Sequence, residues 1–290
     1  MQRRKPALTF WGTRGSIPSP GKDKAKYGGN TSCIELRLPD NQLIILDGGT
    51  GIRELGNSLI KTKKKLRAYI LLTHYHWDHI QGLPFFAPAY RAHNNLTILG
   101  AKHPQFSLPK IFSSQMESIH FPVKASSLSA HISFKELSAK NNCITNTDLK
   151  FMRANHPGTT YSYSFGFDKC KLVYMTDNEI IPHTGKAKSH ITYNRQAFID
   201  FIQGADVLIH DAQYSDSEYR IKKGWGHSHW KETVTLAAES EVKHLILFHH
   251  DPDHNDRCID AIVKDSKALL KRIDAPTKCS AAMEGKTVYL

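Results

Sequence analysis

The chain has 290 residues, 40% of them hydrophobic and 23% charged, and a formal net charge of +12. Those proportions are the values of a soluble globular protein, and the length is enough for a substantial core, expected as one domain over 1–290. No apolar run approaches the roughly 18 residues that span a bilayer, and the basic start, Met1 to Pro6, runs directly into Leu8-Thr9-Phe10-Trp11 without a signal-peptide core. A cytoplasmic location with no membrane partner is therefore expected.

Five cysteines, Cys33, Cys143, Cys170, Cys258 and Cys279, form no Cys-x-x-Cys pair and are odd in number. That predicts free thiols rather than a disulfide framework or a thiolate zinc module. The positive charge favours an anionic partner, because such a field concentrates phosphates, but it does not single out nucleic acid. The densest run, Lys61 to Arg67, reads as a solvated helix end before a strand.

In chain order, Leu8 to Trp11 predicts a first strand, and Gly12 to Gly21 a loop punctuated by Gly and Pro. Arg14 in that loop is within reach of a substrate anion, although a turn-stabilising or surface role is the simpler reading. Cys33 to Leu38 alternates as a half-buried strand, Pro39-Asp40-Asn41 supplies a turn, and Leu43 to Leu46 is a continuous apolar strand. Asp47, before Gly48 and Gly49, suits holding that turn better than binding metal. A helix over Ile52 to Leu59 and a strand over Ala68 to Leu72 follow, the alternation of a mixed α/β protein.

The next residues are Thr73-His74-Tyr75-His76-Trp77-Asp78-His79. Alternate side chains of an extended segment point the same way, so His74 and His76 can meet one metal ion. Asp78 and His79, at the first turn of a following helix, face the same cavity but lie too far round to join that ion, which suggests a second. Leu83 to Arg91, with its prolines and aromatics, is expected beside the mouth of the site. Strands are predicted over Leu96 to Gly100, Ile132 to Leu137 and Leu149 to Ala154, whereas 101–130 carries little signal and His103, His120 and His131 stand outside any ligand spacing.

Later strings repeat the design of a polar donor just past an apolar strand. His156 precedes Pro157-Gly158 and is the expected third ligand of the His74/His76 metal, and Asp177 follows Leu172 to Thr176 as a carboxylate able to bridge two cations. His210 and Asp211 end another strand. His249 ends the run Leu245 to Phe248, with His250 and His254 expected near the rim. Donors gathered from strand ends are how an α/β fold builds a site. Between the last two strings, Gly226-His227-Ser228-His229 precedes a predicted helix over Lys231 to Ser240, with Ser228 as its N-cap.

The His-x-His-x-Asp-His string resembles the signature of the metallo-beta-lactamase superfamily, which implies a four-layered αββα sandwich with mixed sheets and one or two metals. The order of strings, with His156, Thr176-Asp177, Ile209-His210-Asp211-Ala212, Gly226-His227-Ser228 and Leu247-Phe248-His249, is similar to the branch holding ribonuclease Z and small phosphodiesterases. That resemblance implies His74, His76 and His156 on one metal, Asp78, His79 and His249 on the other, and Asp177 shared. It also implies that Asp211 orients His227, which would stabilise the transition state or protonate the leaving alkoxide. Two cations would lower the pKa of a shared water, with Asp78 helping to orient it. Zinc suits the donor set, and manganese or iron would tolerate it.

Two departures bear on the substrate. Asp211-Ala212-Gln213 and His229 stand where ribonuclease Z has other residues, and only about twenty residues separate His156 from Asp177, where bacterial tRNA endonucleases of this kind carry a long arm. The expected activity is therefore dinuclear hydrolysis of a small or cyclic phosphate ester. The alternatives are a nuclease on RNA or DNA ends, a thioester or lactam hydrolase, and a non-catalytic metal-binding protein. A homodimer is left open.

Overall fold

The computed structural model describes residues 5–62, 64–138, 144, 147–180 and 194–290. Contacts divide the chain into two compact units, one of Met1–Pro18, Asn30–Asn141 and Glu284–Leu290, the other of Ser19–Gly29 and Asn142–Met283.

The first unit carries a seven-stranded mixed sheet. Its strands are β1 (Ala7–Gly12), β2 (Cys33–Arg37), β3 (Leu43–Leu46), β4 (Arg67–Leu71), β5 (Asn95–Gly100), β6 (His131–Glu136) and, from the C-terminus, β13 (Thr287–Tyr289). β13, β1, β2 and β3 pair antiparallel; β3, β4, β5 and β6 pair parallel. Burial follows from that pairing. β1 alternates half-buried and buried residues, whereas all four residues of β3 are buried because both faces are covered. Asn41, at φ 66°, makes the tight turn between β2 and β3. Helix α1 (Gly51–Ile60) packs Ile52 and Leu55 into a core with Ile45, Ile70 and Ile98, and two short helices follow, α2 (Trp77–Ile80) and α3 (Leu108–Ser114).

The second unit carries a six-stranded mixed sheet in the order β12-β11-β10-β9-β8-β7. Here β7 (Asp148–Arg153), β8 (Tyr161–Phe167) and β9 (Cys170–Met175) form an antiparallel meander. β10 (Val207–Asp211), β11 (His244–Phe248) and β12 (Lys278–Ala281) continue it in parallel. Helices α4 (Arg195–Ile202), α5 (Asp216–Lys222), α6 (Trp230–Glu239) and α7 (Asp256–Arg272) complete the unit. Phe198, Val234, Ile259 and Leu270 from three of them join Leu208, Leu245 and Leu247 in its core. Each such buried side chain contributes roughly 1.5–3 kcal/mol.

The expected α/β arrangement with mixed sheets is present, and most predicted strands lie within a residue or two of their observed bounds. Four readings change. Arg14 is fully buried, which removes the surface role. Ser228 does not cap α6: His229 holds the N-cap position while the Ser228 hydroxyl donates to Asn178 O at 2.5 Å. His250 and His254 are buried, the first bonded to Ala282 O and the second to Glu218. β8, absent from the sequence reading, pairs with β9 in the stretch between His156 and Asp177. Cys33, Cys170, Cys258 and Cys279 are free thiols as expected, and burial pushes the Cys279 thiol up to about 12; Cys143 lies outside the described residues. Among the described residues no helix is long and apolar enough to cross a membrane.

Candidate functional site

In the first unit the donors follow β4 without a break. His74 is buried, His76 is extended at φ −66° and ψ 153° and holds the N-cap position of α2, and Asp78 and His79 fall in its only turn. The His74 ring centroid lies 4.4 Å from that of His76 and 4.3 Å from that of His79, and His79 Nε2 is 3.2 Å from Asp78 Oδ2. The four residues that the motif predicted to converge therefore do so within this unit.

Their orientation is set by Asp47, whose part in this the sequence reading saw only as a turn. Asp47 directly follows β3 in the left-handed region, at φ 60°, and is fully buried. Its carboxylate accepts from Thr73 N at 2.8 Å, from the Thr73 hydroxyl at 3.1 Å and from His79 Nδ1 at 2.8 Å. Thr73 Oγ1, its proton committed to Asp47, accepts from His74 Nδ1 at 3.0 Å. One carboxylate thus fixes two imidazoles with Nδ1 as the donor, which leaves Nε2 of each as the nitrogen that could meet a cation. The Gly12–Gly21 loop supplies a second support, Ser16 N donating to Asp78 Oδ2 at 2.7 Å. Glycine is required beneath the motif at Gly49, where a Cβ would stand 2.3 Å from Asp78 O.

The second unit gathers His156, Asp177, Asp211, His227 and His249. His156, Asp177 and His227 bring ligand atoms within 4.8 Å of one another, and so do Asp211, His227 and His249. Asp177, at φ 50°, presents Oδ1 to His156 Nε2 at 3.8 Å and Oδ2 to His249 Nε2 at 3.3 Å. Each histidine is again held from behind. His156 Nδ1 donates to Gly226 O at 2.9 Å and His249 Nδ1 to Gln213 Oε1 at 3.0 Å. Asp211 Oδ2 lies 2.6 Å from His227 Nδ1, while its Oδ1 accepts from Gln213 N and Ser228 N.

Glu179, buried and unremarked in the sequence reading, ties this loop together. It accepts from Gly224 N at 2.8 Å, Gly226 N at 3.1 Å and Tyr219 OH at 3.0 Å, so the carbonyl that holds His156 is itself held. Burial, then the field of Asp211, Asp251, Glu179 and Asp177, pushes the Tyr214 hydroxyl upward, and burial with Glu179 does the same at Tyr219. Both phenols stay protonated beside this concentration of carboxylates. His229 does not join the donors: its Nε2 faces Asp216 at 3.1 Å, and burial pulls its pKa down.

Buried imidazoles and carboxylates at strand ends, with no thiolate among them, fit divalent cations such as zinc, manganese or iron. On a mixed α/β frame they define a metal-dependent hydrolase. Comparison with known proteins agrees. The family described as beta-lactamase superfamily domain matches residues 43–250. Ribonuclease Z of Picrophilus torridus is 24% identical over 302 residues, covering 90% of each chain. The metallo-beta-lactamase fold protein YhfI from Bacillus subtilis superposes with a TM-score of 0.69 at 19% identity, over 98% of this chain and 99% of its own. A diphosphatase from the PhnP family does so at 0.68 and 17%, over 99% and 98%. The chain belongs to the beta-lactamase superfamily, and the resemblance to its ribonuclease Z and small phosphodiesterase branch stands.

Proposed function

We propose that the two units are halves of one hydrolase domain and that it acts as a dinuclear phosphodiesterase on a small phosphate ester. The family match runs through both units, which supports treating them as one catalytic domain. In this reading His74, His76 and His156 hold one divalent ion, Asp78, His79 and His249 the other, and Asp177 both. The split of the Asp177 oxygens between His156 and His249 is what a shared carboxylate requires. When bound, the ions would acidify a water and offset charge on the phosphate oxygens.

The observation that carries the phosphoester reading is the Asp211–His227 pair at 2.6 Å. A carboxylate on Nδ1 fixes the ring and stabilises the imidazolium, so Nε2 can deliver a proton to a departing alkoxide. An amide or lactam nitrogen needs a proton too, but the similar proteins named ribonuclease Z and diphosphatase favour phosphorus. Small substrates are favoured because the β8–β9 hairpin takes up most of the short connection from His156 to Asp177, leaving too little chain for a long tRNA-gripping arm. Asp78, tied to Ser16 N, is placed to orient the attacking water.

The test is His227→Ala on metal-loaded protein: metal content should persist and turnover of a phosphodiester should fall. Unaltered turnover would remove the proton donor. A nuclease acting on RNA or DNA ends is the second reading, carried by the +12 charge. A protein contacting several phosphates weakens steeply as salt rises, whereas a small-ester hydrolase does not, so the salt slope of KM separates the two.

A further inference from the structure

The positive charge of the chain is unevenly divided. The first unit carries 18 Lys and Arg against 8 Asp and Glu, a net +10, and the second 21 against 19, a net +2. Between Glu54 and Glu117 stand eight Lys and Arg and one acidic residue, Asp78. In the second unit Lys222 meets Asp251 at 3.0 Å, Arg195 meets Glu232 at 2.8 Å and Lys243 meets Asp206 at 2.8 Å. Five cations of the first unit have no such match: among the described residues Lys61, Lys64, Lys65, Arg67 and Arg91 form no ion pair.

All five gather at one edge. Lys61 is the C-cap of α1, Lys64 and Lys65 lead into β4, Arg67 is its first residue, and Arg91 precedes β5. Parallel register sets Arg67 opposite Asn95 and Asn95 opposite His131, so the entrances of β4, β5 and β6 stand in a row. Buried Asn94 locks that row. Its Oδ1 accepts from Leu66 N at 2.9 Å, its carbonyl accepts from His131 N at 2.9 Å, and its own N donates to Arg91 O at 3.0 Å. The backbone beneath the cations is thus fixed, while Lys61, Lys64, Lys65 and Arg67 are exposed. Like charges held together cost free energy that a polyanion recovers.

This edge is the far end of β4 from the donors. At about 3.3 Å per residue, the run from Arg67 to His74 spans roughly 20 Å, more than two screening lengths of about 8 Å at physiological salt. Its field therefore does little for a small ester at the histidines.

We propose that this edge docks on the phosphate backbone of a double-stranded nucleic acid, without reading sequence and independently of hydrolysis. The row of three strand entrances covers two strand spacings, roughly 10 Å, which matches about three phosphates of one strand of a duplex. A single strand is held by stacking its bases on exposed aromatics. Here Tyr69 is half-buried, and Tyr90, 36% exposed, has its hydroxyl tied to Pro84 O at 2.7 Å. A membrane surface sets exposed Trp, Phe or Leu among its cations. Leu66, the apolar residue within this run, is half-buried. The proposal does not rest on the phosphodiesterase reading.

The experiment is fluorescence anisotropy of a labelled DNA duplex of arbitrary sequence, titrated with full-length, metal-loaded protein over a series of salt concentrations. Five neutralised phosphates give a slope of log K against log salt of about −4.5. Lys64→Gln/Lys65→Gln/Arg67→Gln should flatten it to about −1.8 and weaken binding at least about tenfold at low salt. Lys243→Gln, in the second unit, should bind as wild type does. Melting temperature and turnover of bis(para-nitrophenyl) phosphate should be unchanged in the triple variant.

Equal binding by wild type and the triple variant would overturn the docking surface, as would a slope near zero or tighter binding of a single strand of the same length. Binding to phosphatidylserine vesicles with no binding to the duplex would assign the edge to a membrane and also overturn it. Duplex binding that the triple variant loses, in a protein that turns over no diester, would uphold the surface and sink the phosphodiesterase reading, so the two fail separately.

Discussion

Replacing Asp211 with asparagine should slow turnover without emptying the metal sites. The wild-type carboxylate puts Oδ2 2.6 Å from His227 Nδ1 and accepts Gln213 N at 3.0 Å and Ser228 N at 3.2 Å with Oδ1. An asparagine fits the same space and keeps its oxygen on those two N–H groups, which turns its NH2 toward Nδ1. The ring must then accept at Nδ1, and an imidazolium there has lost its counter-charge. A hydrogen bond between a charged pair contributes about 1.5–3 kcal/mol. At about 1.36 kcal/mol per factor of ten, kcat should fall about 10–150-fold with KM little changed. The loss should be larger for diphenyl phosphate than for bis(para-nitrophenyl) phosphate, because phenolate is the stronger base and needs the proton more. Steady-state kinetics on both esters, with metal counted in the same samples, decides the matter. An Asp211→Asn protein that hydrolyses diphenyl phosphate within about threefold of wild type would refute the proton-donor role.

Asp47→Ala removes the group that holds both His74 and His79, so affinity for metal should drop by roughly 10–100-fold, read by competition with a chelator; unchanged affinity would mean the rings are fixed by other contacts. Gly226→Ala puts a Cβ 2.4 Å from His156 Nδ1 at a φ of +90°, and should lower both the melting temperature and the metal content. His210 is fully buried, donates from Nδ1 to Asp211 O at 2.6 Å and accepts from Asn178 at Nε2, and burial pulls its pKa down. The unfolded chain then binds a proton that the folded chain refuses, so stability is complete above about pH 6.5 and declines as pH falls below it. Urea midpoints from pH 7 downward, at matched metal content, should decline less steeply in His210→Gln than in wild type.

What the sequence disclosed here is what one strand can disclose. His74, His76, Asp78, His79, His156, Asp177 and His249 all come within a few residues of the end of an apolar run, and that position is what marks a candidate donor at a strand end. The groups behind them were not legible in the same way. Asp47 lies 26 residues before Thr73 and 32 before His79, and only the parallel pairing of β3 with β4 brings it beneath them. Glu179 serves glycines more than 40 residues further on, and Gln213 reaches His249 across 36. Other omissions had a local signal. Tyr161 to Phe167 alternates aromatics with Ser and Gly at a period of two, which is a strand pattern. Ser215 and Glu218 form the capping box that opens α5, and Asn255 caps α7. The helices they announce carry no chemistry, so a reading led by ligand strings passes over them.

The central claim is the proposed dinuclear centre with Asp177 as its shared carboxylate. The most direct test is to strip the protein of metal, reload it with zinc or manganese, and measure metal per chain and turnover of bis(para-nitrophenyl) phosphate in parallel for wild type and Asp177→Ala. Two ions per wild-type chain with metal-dependent turnover, and loss of both ions and activity in Asp177→Ala, is the result this account predicts. Full metal occupancy in Asp177→Ala, or turnover by wild type at a single ion per chain, would contradict it.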